Sequence, residues 1–142
     1  MMRQSSFMLV VAGSLLACGG APAKSPPVET TASTPAAGAL DGRSYEVMLD
    51  IPGQAPQKDT IRFANGRFES TACTALGFPK WSDYEAHPDG KNVTFRGVAK
   101  HPSGTTMNWT GTIERNSLEG TATRTMNGKT DVMKVSGAAP TR

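Results

Sequence analysis

From Leu40 onward, apolar and polar side chains alternate so regularly that the chain reads as a succession of strands. Tyr45, Val47, Leu49 and Ile51 recur at every second residue, and Ile61 and Phe63 precede Asn65-Gly66 with Phe68 beyond it. Pro88-Asp89-Gly90 sets up a run with Val93 and Phe95 on one face, Met107, Trp109 and Ile113 share a face of the next, and Val132 to Ser136 closes the pattern. A period of two is that of a half-buried strand, and no window carries a convincing helical period. Asn-Gly between alternating runs is the strongest short hairpin signal, and Arg115-Asn116 and Asn127-Gly128 mark two more reversals. The pattern predicts eight strands, at about 43–51, 58–64, 67–72, 81–87, 91–99, 105–114, 117–126 and 129–137.

Short connections throughout make the expected fold class all-β, an antiparallel up-and-down meander that closes as a small eight-stranded barrel and so removes exposed edges. A two-sheet sandwich is the alternative, but Greek-key crossovers need longer connections than this chain has. The meander has a polarity. With the first strand drawn upward, the turns at Asn65-Gly66, Asp89-Gly90 and Arg115-Asn116 fall at the lower end. The longer connections, Pro52 to Gln57, Cys73 to Lys80 and Lys100 to Gly104, fall at the upper end. An open upper rim carrying Cys73, Leu76, Phe78, Trp81 and His101 is therefore the candidate ligand or partner site, because barrels bind where their longer loops cluster.

An eight-stranded barrel is filled by its own side chains or holds one small ligand. Gly111, Gly120 and Ala122 stand among the bulkier inward candidates Tyr45, Met107 and Trp109; they leave a pocket or interdigitate to native density, and the filled core is the favoured expectation. Arg124 has the face parity of Leu118 and Ala122. An inward arginine needs a partner or an anionic ligand, and a register break near the strand end is the simpler expectation.

Composition divides the rest of the chain. Residues 1–17 have a basic residue, Arg3, an apolar core from Phe7 to Val11, a Gly13-Ser14 break and the small Ala17 before Cys18, which is the anatomy of an export signal too short to span a bilayer stably. Leu15-Leu16-Ala17-Cys18 resembles the lipobox of bacterial lipoproteins. That resemblance implies cleavage before Cys18, acylation of its sulfur, and a lipid anchor in the cell envelope. Gly19 and Gly20 add no acidic sorting signal, which by the same resemblance implies the outer membrane. Two or three acyl chains, at about 0.8 kcal/mol per buried methylene, hold a protein far more firmly than one. An ordinary secreted protein with an incidental Cys18 is the alternative. Residues 18–39, rich in Pro, Ala, Ser and Thr and broken by Pro22, Pro26, Pro27 and Pro35, read as a disordered tether. Residues 40–137 form the barrel domain and 138–142 a disordered tail.

Charge narrows the function little. From Leu40 on, thirteen Lys and Arg face eleven Asp and Glu with the signs interspersed, unlike the basic cluster of a nucleic-acid binder. Once Cys18 is acylated, Cys73 is the one remaining cysteine; its neighbours carry no charge that would activate it, so a buried inert thiol is favoured over an intermolecular bridge. His87-Pro88-Asp89-Gly90 and His101-Pro102-Ser103-Gly104 look like a metal pair, but the meander puts them at opposite ends of one strand. His101 and Cys73 share the upper rim with no third orienting group. The chain has no Gly-x-Ser-x-Gly, His-Glu-x-x-His, phosphate loop or Cys-x-x-Cys. The expectation is a non-enzyme without metal or cofactor.

The opening Leu40-Asp41-Gly42-Arg43-Ser44-Tyr45, before an all-hairpin chain, resembles the start of small lipocalin-like barrels, in which a glycine and an aromatic open the first strand. Those barrels have tryptophan two residues after the glycine, where this chain has Ser44 and then Tyr45. Ser82-Asp83-Tyr84 is similar to their Thr-Asp-Tyr motif but falls earlier in the strand order. The resemblance implies the architecture of residues 40–137 and no particular ligand, and the same plan is similar to that of small uncharacterised bacterial lipoproteins. Two functions are expected. In one, the tethered barrel binds a small apolar or amphipathic molecule in its interior or at the rim. In the other, a packed barrel binds another envelope protein as an accessory or inhibitor.

Overall fold

The computed structural model describes Ala36 and residues 38–141. The export signal, Cys18 and the tether as far as Pro35 lie outside the described residues. The barrel consists of β1 (Ser44–Asp50), β2 (Gln57–Ala64), β3 (Arg67–Ser70), β4 (Ser82–Asp89), β5 (Asn92–Lys100), β6 (Thr106–Glu114), β7 (Ser117–Met126) and β8 (Lys129–Ala138), with a one-turn helix, α1 (Thr71–Ala75), after β3. Each strand pairs antiparallel with the next, and β1 pairs with β8 from Glu46↔Ala138 to Asp50↔Lys134, so the sheet is a closed eight-stranded up-and-down barrel. Alternation produced this directly: Tyr45, Val47 and Leu49 point inward from β1 while Glu46, Met48 and Asp50 point out.

Turn chemistry fixes the register. Ala64↔Arg67 and Met126↔Lys129 enclose Asn65-Gly66 and Asn127-Gly128, both with two positive φ angles, the geometry whose twist matches the flanking strands. The β4–β5 loop is Gly90-Lys91, one residue later than the sequence suggested, because Asp89 pairs with Asn92. At the equivalent first position of the β6–β7 loop stands Arg115, at φ 53°. A side chain with a Cβ is strained there by about 1–2 kcal/mol, whereas glycine adds about 0.5–1 kcal/mol of unfolded-state entropy. Arg115→Gly is expected to raise stability by about 0.5 kcal/mol, read as a higher urea midpoint at unchanged slope.

The interior is filled. Trp109, Tyr45, Phe63, Phe68, Phe95, Leu40, Ile61, Ile113 and Leu118 are all less than 2 % exposed or close to it. Phe63 lies at the centre of the lower half, with edge-to-face contacts to Tyr84 at 5.0 Å and Phe95 at 5.2 Å between centroids, and Phe68 meets Trp109 at 6.3 Å. The inward glycines leave no empty space. A Cβ on Gly111 would lie 2.6 Å from the Phe95 ring, and one on Gly97 would overlap the ring of Phe68. Small and large residues interdigitate across strands.

Both ends are stopped. At the lower end Gly38 to Gly42 forms successive turns across the mouth, after the bond from the Ala36 N–H to the Ala86 carbonyl, and Leu40 is buried completely. The barrel unit therefore begins before Leu40. At the other terminus β8 runs to Ala138 and the Ala139 N–H still donates to the Asn116 carbonyl, so ordered chain extends past residue 137. The Tyr84 hydroxyl accepts from the Leu40 N–H at 3.1 Å and donates to Asp41 at 3.0 Å, and the Asp41 carboxylate accepts from the Gly66 N–H. Burial, then the hydrogen bond and charge of Asp41, push the Tyr84 phenol up to about 12 against the opposing Leu40 N–H. The fold thus holds the protonated phenol more tightly than the unfolded chain, whose tyrosines titrate near 10. This contribution is complete below pH 10 and is lost as pH rises toward 12. The urea midpoint is expected to fall across that window, and to fall less in Tyr84→Phe.

Candidate functional site

The upper end, expected as an open rim, is covered. The strand pattern over 67–72 stops at Ser70, whose side chain caps α1 by accepting from the Cys73 N–H at 3.1 Å. The helix ends after one turn at Gly77, at φ 90°, with the Gly77 N–H on the Thr74 carbonyl and the Phe78 N–H on the Cys73 carbonyl. This pair of bonds closes a helix with a hydrophobic contact across the cap, here between buried Cys73 and buried Phe78. The whole unit is pinned by Asp59 of β2. Its carboxylate, 4 % exposed, accepts from the Ser70 hydroxyl, the Thr71 hydroxyl at 2.9 Å, the Ala72 N–H at 2.8 Å and the Thr60 N–H at 2.7 Å.

The five residues expected at the rim therefore separate. Cys73 and Phe78 face into the barrel, Leu76 stands 60 % exposed on top, and the His101 ring packs edge-to-face on Phe78 at 5.2 Å. His101 Nδ1 lies 3.0 Å from the Ser103 N–H that donates to it and 2.7 Å from the Ser103 hydroxyl. Trp81 lies elsewhere, on the outer wall, in a groove of about 630 Å³ shared with Arg67, Pro79, Asp83, Glu85, Arg96, Val98 and Lys100. The groove sits beside the shortest seam of the barrel, where β3 and β4 pair only through Arg67↔Asp83 and Phe68↔Ser82. Arg67 and Asp83 are 3.4 Å apart across the seam, and Val98, which lines the groove, is 43 % exposed.

Burial pushes the Cys73 thiol up, against the opposing contact from Ser70; the charge of Asp59 adds a lesser rise and the Trp109 contact a lesser fall. A protonated thiol is a poor nucleophile. His101 is engaged by Ser103 and Phe78, and the thiol by Ser70 and Trp109. Arg124 faces inward in unbroken register between Met107 and Asp131, and its guanidinium donates to Asp131 at 2.9 Å. Its partner is this carboxylate, which the hydrogen bond from Arg124 holds below the usual carboxylate range; the expected register break does not occur. His87, opposite Thr94, and His101, beyond Lys100, lie at opposite ends of β5. Among the described residues no three His, Cys, Asp or Glu side chains come together as a metal site.

Asp59 and Asp41, the two carboxylates that organise the ends, were missed in the sequence. Each reaches donors eleven or more residues away, and no local pattern announces that. Comparison of the chain with protein-family models, with curated proteins and with solved structures found no match.

Proposed function

We propose that this protein is an exported lipoprotein, held in the bacterial outer membrane by acylated Cys18, whose solid barrel serves as a binding module for another envelope protein. The filled interior carries this reading. A carrier needs an internal volume, and here Phe63, Phe68, Phe95 and Trp109 occupy it while Leu40 and Phe78 stop the two ends. What the barrel offers instead is outer surface: the groove around Trp81 and Val98, lined by apolar and charged side chains together, has the make-up of a protein contact. Leu15-Leu16-Ala17-Cys18 supports the anchor, and the described chain joins the barrel at its lower end through Ala36.

Two measurements on the full chain in bacterial cells test this. A clickable fatty acid is expected to label the protein, and Cys18→Ser to abolish the label and release the protein to the soluble fraction. A photo-crosslinking residue at Val98 is expected to give one adduct of discrete mass, and the same residue at Thr121, on the polar wall, to give none. Persistent membrane attachment of unlabelled Cys18→Ser would remove the anchor from the proposal. A stoichiometric small molecule extracted from the purified protein, with no adduct at Val98, would replace the protein-binding module with a carrier.

A further inference from the structure

The plug at the lower end is held differently from everything above it. Among the described residues from Ala36 to Gly42, Leu40 alone is buried; Asp41 and Gly42 are exposed and the others half-buried. Ordering such a segment costs backbone entropy at every residue, and one leucine side chain with a few hydrogen bonds does little more than offset it. Its bonds to the strands are few: the Ala36 N–H on the Ala86 carbonyl at 2.8 Å, the Leu40 N–H on the Tyr84 hydroxyl, the Tyr84 hydroxyl and the Gly66 N–H on the Asp41 carboxylate, and the Gly42 N–H on the Phe63 carbonyl; the others are turn bonds of the segment itself, such as the Ala39 N–H on the Ala36 carbonyl and the Asp41 N–H on the Gly38 carbonyl. Gly38 and Gly42, both at φ 80°, stand on either side of Leu40 as ready pivots. The strands, by contrast, are locked by continuous ladders of up to ten residue pairs, as between β7 and β8.

We propose that Ala36–Gly42 is a strap that opens on its own, swinging on Gly38 and Gly42 and lifting Leu40 from the lower mouth while all eight strands stay closed. β3 covers β4 only as far as Asp83, so the opened state uncovers both the aromatic floor around Phe63 and Tyr84 and the β4 edge at Ala86. Proline at position 88, two residues on along the same edge, removes the N–H that would otherwise invite another strand to pair there. A pull or a cut on the N-terminal side of the barrel then acts on this mouth first, through the single Ala36–Ala86 bond.

Native-state hydrogen exchange on the full chain tests it. The Leu40, Gly42 and Gly66 amides are expected to exchange about 100-fold faster than the slowest amides of β6 and β7, with no dependence on low denaturant, the mark of local opening. Leu40→Ala and the milder Asp41→Asn are each expected to accelerate those three amides about tenfold and leave β6 and β7 unchanged. Exchange of the strap amides at the β6–β7 rate and denaturant dependence, or acceleration of all amides together in Asp41→Asn, would make the strap part of the cooperative core and overturn the proposal.

Discussion

Gly120→Ala is expected to remove at least about 3 kcal/mol of stability, a large share of the roughly 5–15 kcal/mol that holds a small domain folded. A Cβ at this position would overlap the Thr110 carbonyl oxygen and lie 2.6 Å from the Gly111 Cα. These are backbone atoms of the paired strand β6, opposite Gly120 in an unbroken ladder, so neither can turn aside as a side chain would. Relief requires moving the strands apart at the Gly111↔Gly120 pair, where Phe95 already fills the space above Gly111. The control is Gly128→Ala. That glycine has a positive φ of 75° but nothing within 4 Å of the added carbon, so it carries backbone strain without overlap and is expected to lose only about 1 kcal/mol. Chemical denaturation of the two variants separates steric overlap from conformational strain; similar losses would mean that the β6–β7 corner relaxes more easily than its geometry implies.

The contrast between these glycines also explains what was legible in the sequence. Alternation is a local property, and so are Asn65-Gly66, Arg115-Asn116 and Asn127-Gly128; the eight strands and their order follow from them almost residue for residue. Whether Gly97 and Gly111 open a pocket depends on which rings cross from neighbouring strands, and Phe68 and Phe95 reach them from β3 and β5. That is information about coiling of the sheet, which the period-two pattern does not contain. The error at the upper rim has a different origin. Thr71-Ala72-Cys73-Thr74-Ala75 is too short for a helical period to emerge, and its β-compatible residues extended the reading of β3. The usable clue was the bracket of Ser70 and Gly77, a helix start and a helix stop seven residues apart. Once α1 is placed, the inward positions of Cys73 and Phe78 follow, and the rim closes.

Asp59→Ala is expected to cost about 3–4 kcal/mol, through a mechanism opposite to that of Gly120→Ala: it leaves donors unpaired where the glycine change crowds atoms together. Four donors converge on this carboxylate, two hydroxyls and two N–H groups, in a site only 4 % exposed. Hydrogen bonds to a charged acceptor contribute about 1.5–3 kcal/mol each when counted singly, and the buried donors left behind cannot all find water. Asp59→Asn, which keeps one acceptor oxygen but turns an NH₂ toward groups that themselves donate, is expected to fall between the wild type and alanine. Because Ala72 and Ser70 belong to the first turn of α1, most of the loss should appear as easier lifting of the helix, with Cys73 as its reporter. In a Cys18→Ser background the Cys73 thiol, buried and held protonated, is expected to react slowly with a neutral disulfide reagent. If α1 alone absorbs about 2.8 kcal/mol of the change, Asp59→Ala should raise that rate about 100-fold while the β6–β7 amides keep their protection. A rise in thiol reactivity matched by equal loss of protection throughout the barrel would instead mean that Asp59 secures the whole fold and that the α1 cap has no opening of its own.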